Sequence, residues 1–133
     1  MFRLSAQPVI SFLFPQPHED GPVFYPTIST INLGSHTVLD LYPKKGTNRN
    51  DDRVSLLLER RSLLLVRDSA YTDFLHGIRE VTGDLLDHRL CNLSSCPGRE
   101  LDQLLTRGRR ISCTIRFVSN MRSGLMSRFI KKT

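Results

Sequence analysis

The run from Arg109 to Val118 constrains this chain more than any other stretch. Ile111, Cys113, Ile115 and Phe117 are apolar, and Arg110, Ser112, Thr114 and Arg116 stand between them. A period of two is the pattern of a β-strand whose two faces meet different surroundings. Arg110 and Arg116 are six residues apart, so both side chains leave from one face, together with Ser112 and Thr114. On an inward face, such guanidiniums are costly unless an anion neutralises them. The strand therefore points to a β architecture with an anion-seeking patch in its interior.

The remaining patterns agree on β structure. Thr27–Leu33, a Gly34-Ser35 turn and His36–Tyr42 predict one hairpin. Residues 43–53 form a polar loop, and Val54–Leu58 with Ser62–Val66 predict a second hairpin around Glu59-Arg60-Arg61. A capped helical turn opens at Asp68 or Ser69. A short helix is expected over Arg99–Arg107, with Leu101, Leu104 and Leu105 on one face and Gly108 as its stop. A length of 133 residues suits one domain. The class is mainly β, a sandwich or double-stranded β-helix (jelly roll), although five or six strands are fewer than the eight a jelly roll wants.

Charge and composition narrow the function. A net charge of +6 favours polyanionic partners, DNA or RNA among them. A hydrophobic fraction of 39% excludes a disordered tail. No apolar run approaches the roughly 18 residues of a membrane span, and the six-residue VISFLF near the N-terminus is too short for a secretory signal. Cys91, Cys96 and Cys113 are odd in number and lack CxxC spacing, so reduced thiols in the cytoplasm or nucleus are expected.

The chemistry concentrates in His18-Glu19-Asp20, set in the turn PHEDGP before a strand. In extended backbone His18 and Asp20 point to one side and can converge on one ion. The bland alternative is a surface turn whose His and Asp bond backbone groups. His76, 56 residues after Asp20 and beyond the two hairpins, supplies a second imidazole at the start of a possible strand. Two histidines and a carboxylate on a β scaffold are the donor set of non-haem Fe(II) oxygenases. A downstream arginine is what such chemistry needs to hold the remote carboxylate of 2-oxoglutarate. Of the other candidates, His36 reads as a packed or edge histidine, His88 as a solvated loop residue, and Asp51-Asp52 as loop charge.

PHEDGP, YPTISTINLGSHTVLDLY, SLLLERRSLLLV, AYTDFLHGI and RISCTIR together resemble the AlkB-type Fe(II)/2-oxoglutarate dioxygenases, closest to the animal AlkB homologue six group. The likeness runs over 17–119 as a catalytic core, carried by motifs from about Pro17 to Arg116, and leaves 1–16 non-matching and 120–133 as a basic tail. It implies that His18, Asp20 and His76 are the iron ligands. It further implies that Arg110 pairs with the far carboxylate of 2-oxoglutarate, that Ser112 helps hold this co-substrate, and that Arg116 lies nearer the metal. The implied reaction uses O2, releases succinate and CO2, and demethylates a nucleic acid; cytoplasm and nucleus are its expected places.

Relatives of this family carry about a hundred residues before the H-x-D, including an Asn-x-Tyr segment that touches 2-oxoglutarate, whereas seventeen precede His18 here. Ser-Phe-Leu-Phe-Pro-Gln can be encoded almost wholly in pyrimidines followed by CAG, so the first residues are expected to translate intron sequence. On that reading the jelly roll is incomplete at its N-terminal side, and the chain is poorly soluble and slow. The alternative function is then an impaired isoform serving as a binding or regulatory β-domain.

Overall fold

One long antiparallel ribbon organises the middle of the chain. The computed structural model describes residues 16–45 and 52–118, together with the backbone path of 2–8. Strand β1 covers Phe2–Pro8, β2 Thr27–Gly34, β3 Thr37–Pro43, β4 Val54–Leu58 and β5 Ser62–Arg67. After a single helical turn, α1 (Ser69–Thr72), come β6 (Phe74–Gly77), β7 (Gly83–Leu85), β8 (Leu104–Thr106) and β9 (Arg110–Phe117). Neither expected hairpin forms. β2 pairs with β5, from Thr27 opposite Arg67 to Asn32 opposite Ser62, and β3 pairs with β4, from Thr37 opposite Leu58 to Leu41 opposite Val54. The segments 27–43 and 54–67 are therefore the two arms of one ribbon, bent at 33–36 and at 59–61.

The bend sends each arm from one sheet to another. The four-stranded sheet has the order β1-β9-β2-β5, the three-stranded sheet β4-β3-β6, and β7 and β8 form a separate pair. An arm that pairs along its length and changes sheet at a corner is the structural unit of a jelly roll, so the fold class is as expected. Gly34 makes the corner possible. It sits at φ +80°, and a Cβ there would collide with the carbonyl oxygen of Arg109, which accepts a hydrogen bond from Ser35 N at 2.9 Å.

Residues 99–107 hold no helix. Leu101 and Leu104 are exposed while Leu105 is buried against Val38, Leu57, Leu86, Leu90 and Cys96. Asp102 takes a positive φ of 64°, its N–H donates to Leu86 O, and Leu86 N–H donates to Gln103 O. The leucine spacing suited a helix, but pairing with the 83–86 segment outweighs it and re-reads Leu104–Thr106 at a period of two. The turn at α1 forms, although Asp68 makes no side-chain cap. His88 is exposed, and Cys91, Cys96 and Cys113 are free. Asp51 and the tail 120–133 lie outside the described residues. Among the described residues no helix is long and apolar enough to cross a membrane.

The four-stranded sheet inverts the usual apolar-in pattern along part of its width. Ile28, Asn32 and Val66 are buried on its inward face, and that face also carries Thr30, Arg110, Ser112, Thr114 and Arg116. The Thr30 and Thr114 hydroxyls, in register across β2 and β9, are 3.2 Å apart. The outward face holds exposed Leu63, Leu65 and Ile31.

Candidate functional site

Strand β6 brings the second histidine to the first. His18 N–H donates to His76 O at 3.0 Å, and His76 N–H donates to His18 O at 2.9 Å. This two-bond bridge holds the segment before the Asp20 turn against β6, and the two imidazole rings lie 4.6 Å apart, centroid to centroid. Asp20 Oδ2 is 3.7 Å from His76 Nε2. Burial, with the charges of His18 and Arg116, pushes the His76 imidazole below its ordinary pKa, and the opposing pull of Asp20 does not prevail. A neutral ring beside Asp20 makes a dipolar contact rather than an ion pair, and the neutral ring is the ligating form. His76 thus lies against both His18 and Asp20.

Arg116 completes this end. Its Nε donates to Asp20 Oδ1 at 2.6 Å, with Nη2 equally close, and its guanidinium stacks 5.5 Å from the centre of the Phe24 ring. Asp20 is only 6% exposed, so this pairing is what makes its charge tolerable. Tyr71, on α1, donates its hydroxyl to Gly21 O at 2.8 Å and so ties down the turn that carries Asp20. Among the described residues, no three His, Cys, Asp or Glu side chains are arranged so that they could hold a metal ion. The donor types are those that bind a divalent metal, and Asp20 Oδ2 faces His76 while Oδ1 belongs to Arg116.

The other end of β9 is built differently. Arg110 Nε donates to the Asn32 side-chain oxygen. Burial and the nearby charge of Arg107 lower its pKa, so its environment strains against the cation. Each of the other partly buried arginines among the described residues has a carboxylate: Arg53 has Asp40, Arg89 has Asp87, Arg99 has Glu59, Arg107 has Asp84 and Arg116 has Asp20. Arg110 has none among them. Ser62, opposite Asn32 and on the same inward face, has a buried hydroxyl that makes no hydrogen bond among the described residues. Ser112 also lies on this face, opposite Asn32. Among the described residues, a guanidinium without a carboxylate on β9 and an unbonded hydroxyl two strands away on β5 share one face, and such groups can receive an oxyanion.

His36 lies outside both ends. It packs at the ribbon corner, immediately before β3, with Nε2 at 3.3 Å from Asp84 Oδ2 but poorly aligned for a hydrogen bond. Asp84 is instead gripped by Arg107 through two bonds of 2.6 and 2.7 Å. Asn32 was not singled out in the sequence. Its signal is visible afterwards: an amide between Ile31 and Leu33, in a strand of β-branched and apolar residues, needs buried partners.

No family model matches the chain. Over 110 residues it is 43% identical to a zebrafish (Danio rerio) protein named "Probable RNA/DNA demethylase ALKBH6", a stretch covering 77% of this chain and 47% of that protein. The chain thus spans about half the length of this curated relative. With an antiparallel jelly-roll-like fold and this likeness, the chain belongs to the AlkB-like family, in its animal homologue six group.

Proposed function

We propose that the chain is the core of an AlkB-type dioxygenase that demethylates nucleic acid, with Fe(II) and 2-oxoglutarate as cofactor and co-substrate. The relative's name supports the substrate class, and the net charge of +6 suits a polyanion. The observation that carries the reading is the pairing of opposites along β9: histidine and aspartate side chains at the Arg116 end, and at the Arg110 end a partly buried guanidinium with no carboxylate among the described residues.

His18, His76 and Asp20 Oδ2 would hold the metal. Iron bound there would couple decarboxylation of 2-oxoglutarate to succinate and CO2 with insertion of the second O2 oxygen into an N-methyl C–H bond, and the hydroxymethyl product then loses formaldehyde. The chain's own residues do the positioning. Arg116 fixes the orientation of Asp20 and leaves its other oxygen toward the histidines. Burial favours the neutral form of His76, which is the form that ligates. Arg110 takes the distal carboxylate in a charge-assisted pair, with the Ser62 and Ser112 hydroxyls on the same face as further donors. Arg110 and Arg116 are roughly 20 Å apart along the strand, so one small dicarboxylate spans the gap only if it lies over Ser112 and Thr114 with the side chains leaning inward.

The test is succinate formation by the purified chain with Fe(II), ascorbate and 2-oxoglutarate, and formaldehyde release on adding N-methylated oligonucleotides. The reading requires succinate from the parent and none from His76→Ala. A second reading rests on the hold of Arg116 on Asp20: a β-domain that keeps the ligand residues without turnover. Metal and 2-oxoglutarate binding with no succinate would select it.

A further inference from the structure

The side chain that meets Arg110 is Asn32. It is 1% exposed, on the inward face of β2 near that strand's C-terminal end. Its amide nitrogen lies within hydrogen-bond distance of three backbone carbonyls: Ser35 O at 3.1 Å, Leu58 O at 3.1 Å and Glu59 O at 2.9 Å. An amide's oxygen and nitrogen are assigned from their partners, and here the partners decide. Three carbonyls can only accept, so the NH2 group must face them and Oδ1 must face away. Away is toward Arg110, whose Nε donates to that oxygen. The Asn32 backbone carbonyl also accepts from Arg61 N at 2.7 Å. One residue thereby locks both arms of the ribbon at their bend and sets the direction of a guanidinium on the neighbouring strand.

We infer that Asn32 is a positioning residue for 2-oxoglutarate: it grips Arg110 by Nε through a neutral acceptor, and so aims the guanidinium without neutralising it. This rests on the assignment of Arg110 as the co-substrate anchor. Neutrality is the essential property. Elsewhere in the molecule the grip is charged: Asp84 and Asp20 hold Arg107 and Arg116 with full carboxylates and leave those arginines paired. An amide gives Arg110 a direction and leaves its charge for the incoming carboxylate.

The experiment is calorimetric titration of 2-oxoglutarate, with Mn(II) in place of Fe(II), into the full chain and into Asn32→Asp, Asn32→Ala, Arg110→Ala and the Asn32→Ala/Arg110→Ala double variant. Thermal melts report the folded fraction of each, and affinities are taken per folded molecule. Asn32→Asp should weaken 2-oxoglutarate at least tenfold, because the new carboxylate pairs with Arg110 first, while Mn(II) affinity is unchanged. Asn32→Ala should weaken it severalfold in the parent and not at all in the Arg110→Ala background, although its cost in melting temperature persists in both. Unchanged 2-oxoglutarate affinity in Asn32→Asp, with Arg110→Ala strongly impaired, would overturn the role of Asn32 and leave the anchor standing. Should Asn32→Asp fail to fold, equal losses from Asn32→Ala in both backgrounds would overturn it instead. Unchanged affinity in Arg110→Ala would overturn the anchor, and the inference with it.

Discussion

Strand β9 carries two arginines on one face with opposite fates. Arg116 is bonded to Asp20, a nearly buried carboxylate of its own chain, and is stacked on Phe24. Arg110, six residues earlier, has a neutral amide and no carboxylate among the described residues. Both side chains are partly buried, so their difference is one of partner rather than of exposure. A buried guanidinium with an internal carboxylate is a structural pair that can steer a neighbouring group. One held only by a neutral acceptor keeps its demand for an anion, which a ligand can meet. Arg107 follows the first pattern, bonded to Asp84 at 2.6 Å.

The largest effect is expected at the histidine end of β9, where metal binding is proposed. His76→Ala leaves two donors, and divalent metal affinity, read by Mn(II) titration, should fall by at least about a thousandfold. Arg110→Ala should leave it within about twofold. Equal metal binding by His76→Ala and the parent would remove His76 from the ligand set.

At the other end, Arg110→Ala should weaken 2-oxoglutarate by about a hundredfold, as expected for loss of a charge-assisted, two-bond pair. Arg110→Lys keeps the charge and loses the fork, so about tenfold is expected. Equilibrium titration separates the two, and a lysine variant equal to the parent would show that charge alone anchors the anion.

Asp20→Asn makes Arg116 resemble Arg110. It leaves a partly buried guanidinium with only a neutral acceptor, and denaturant unfolding should show a loss of about 2 kcal/mol. No loss would mean that the Asp20–Arg116 pair contributes nothing to the fold, and that the two ends of β9 differ less than their partners suggest.

The smallest effect concerns protons. Burial is the leading cause that lowers the pKa of both His36 and His76 from the ordinary 6.5. As pH falls below about 6.5 the unfolded chain takes up protons before the folded one, so stability is complete above that value and is lost on the way down to the lowered folded pKa values. Melting temperature should therefore fall with acidification through this window, with a shallower slope in His36→Asn. A melting temperature that rises on acidification there would contradict the buried, neutral state of these rings.

Much of this was legible in local sequence. The alternation in 110–117 gave both the strand and the face shared by the two arginines, because a period of two is set by backbone geometry alone. That His76 lies against His18 and Asp20 was expected from the family resemblance and not from spacing. Strand partners were not legible. Gly34-Ser35 and Glu59-Arg60-Arg61 look like hairpin turns, yet each is a corner where a paired arm changes sheet, and only contacts distant in sequence decide between the two. The Leu101, Leu104 and Leu105 spacing suited a helix equally well until Leu86 claimed the backbone beside it. Asn32 escaped notice because its three carbonyl partners come from Ser35, Leu58 and Glu59, which meet only once the ribbon bends.

The central claim is that the Arg110 end is an anion seat independent of the metal. Succinate, which has the distal carboxylate but no keto group, isolates it when titrated into metal-free protein. The account requires saturable binding by the parent, retained in His76→Ala and abolished in Arg110→Ala. Succinate binding that survives Arg110→Ala, or that disappears in His76→Ala while Arg110 is intact, would contradict it.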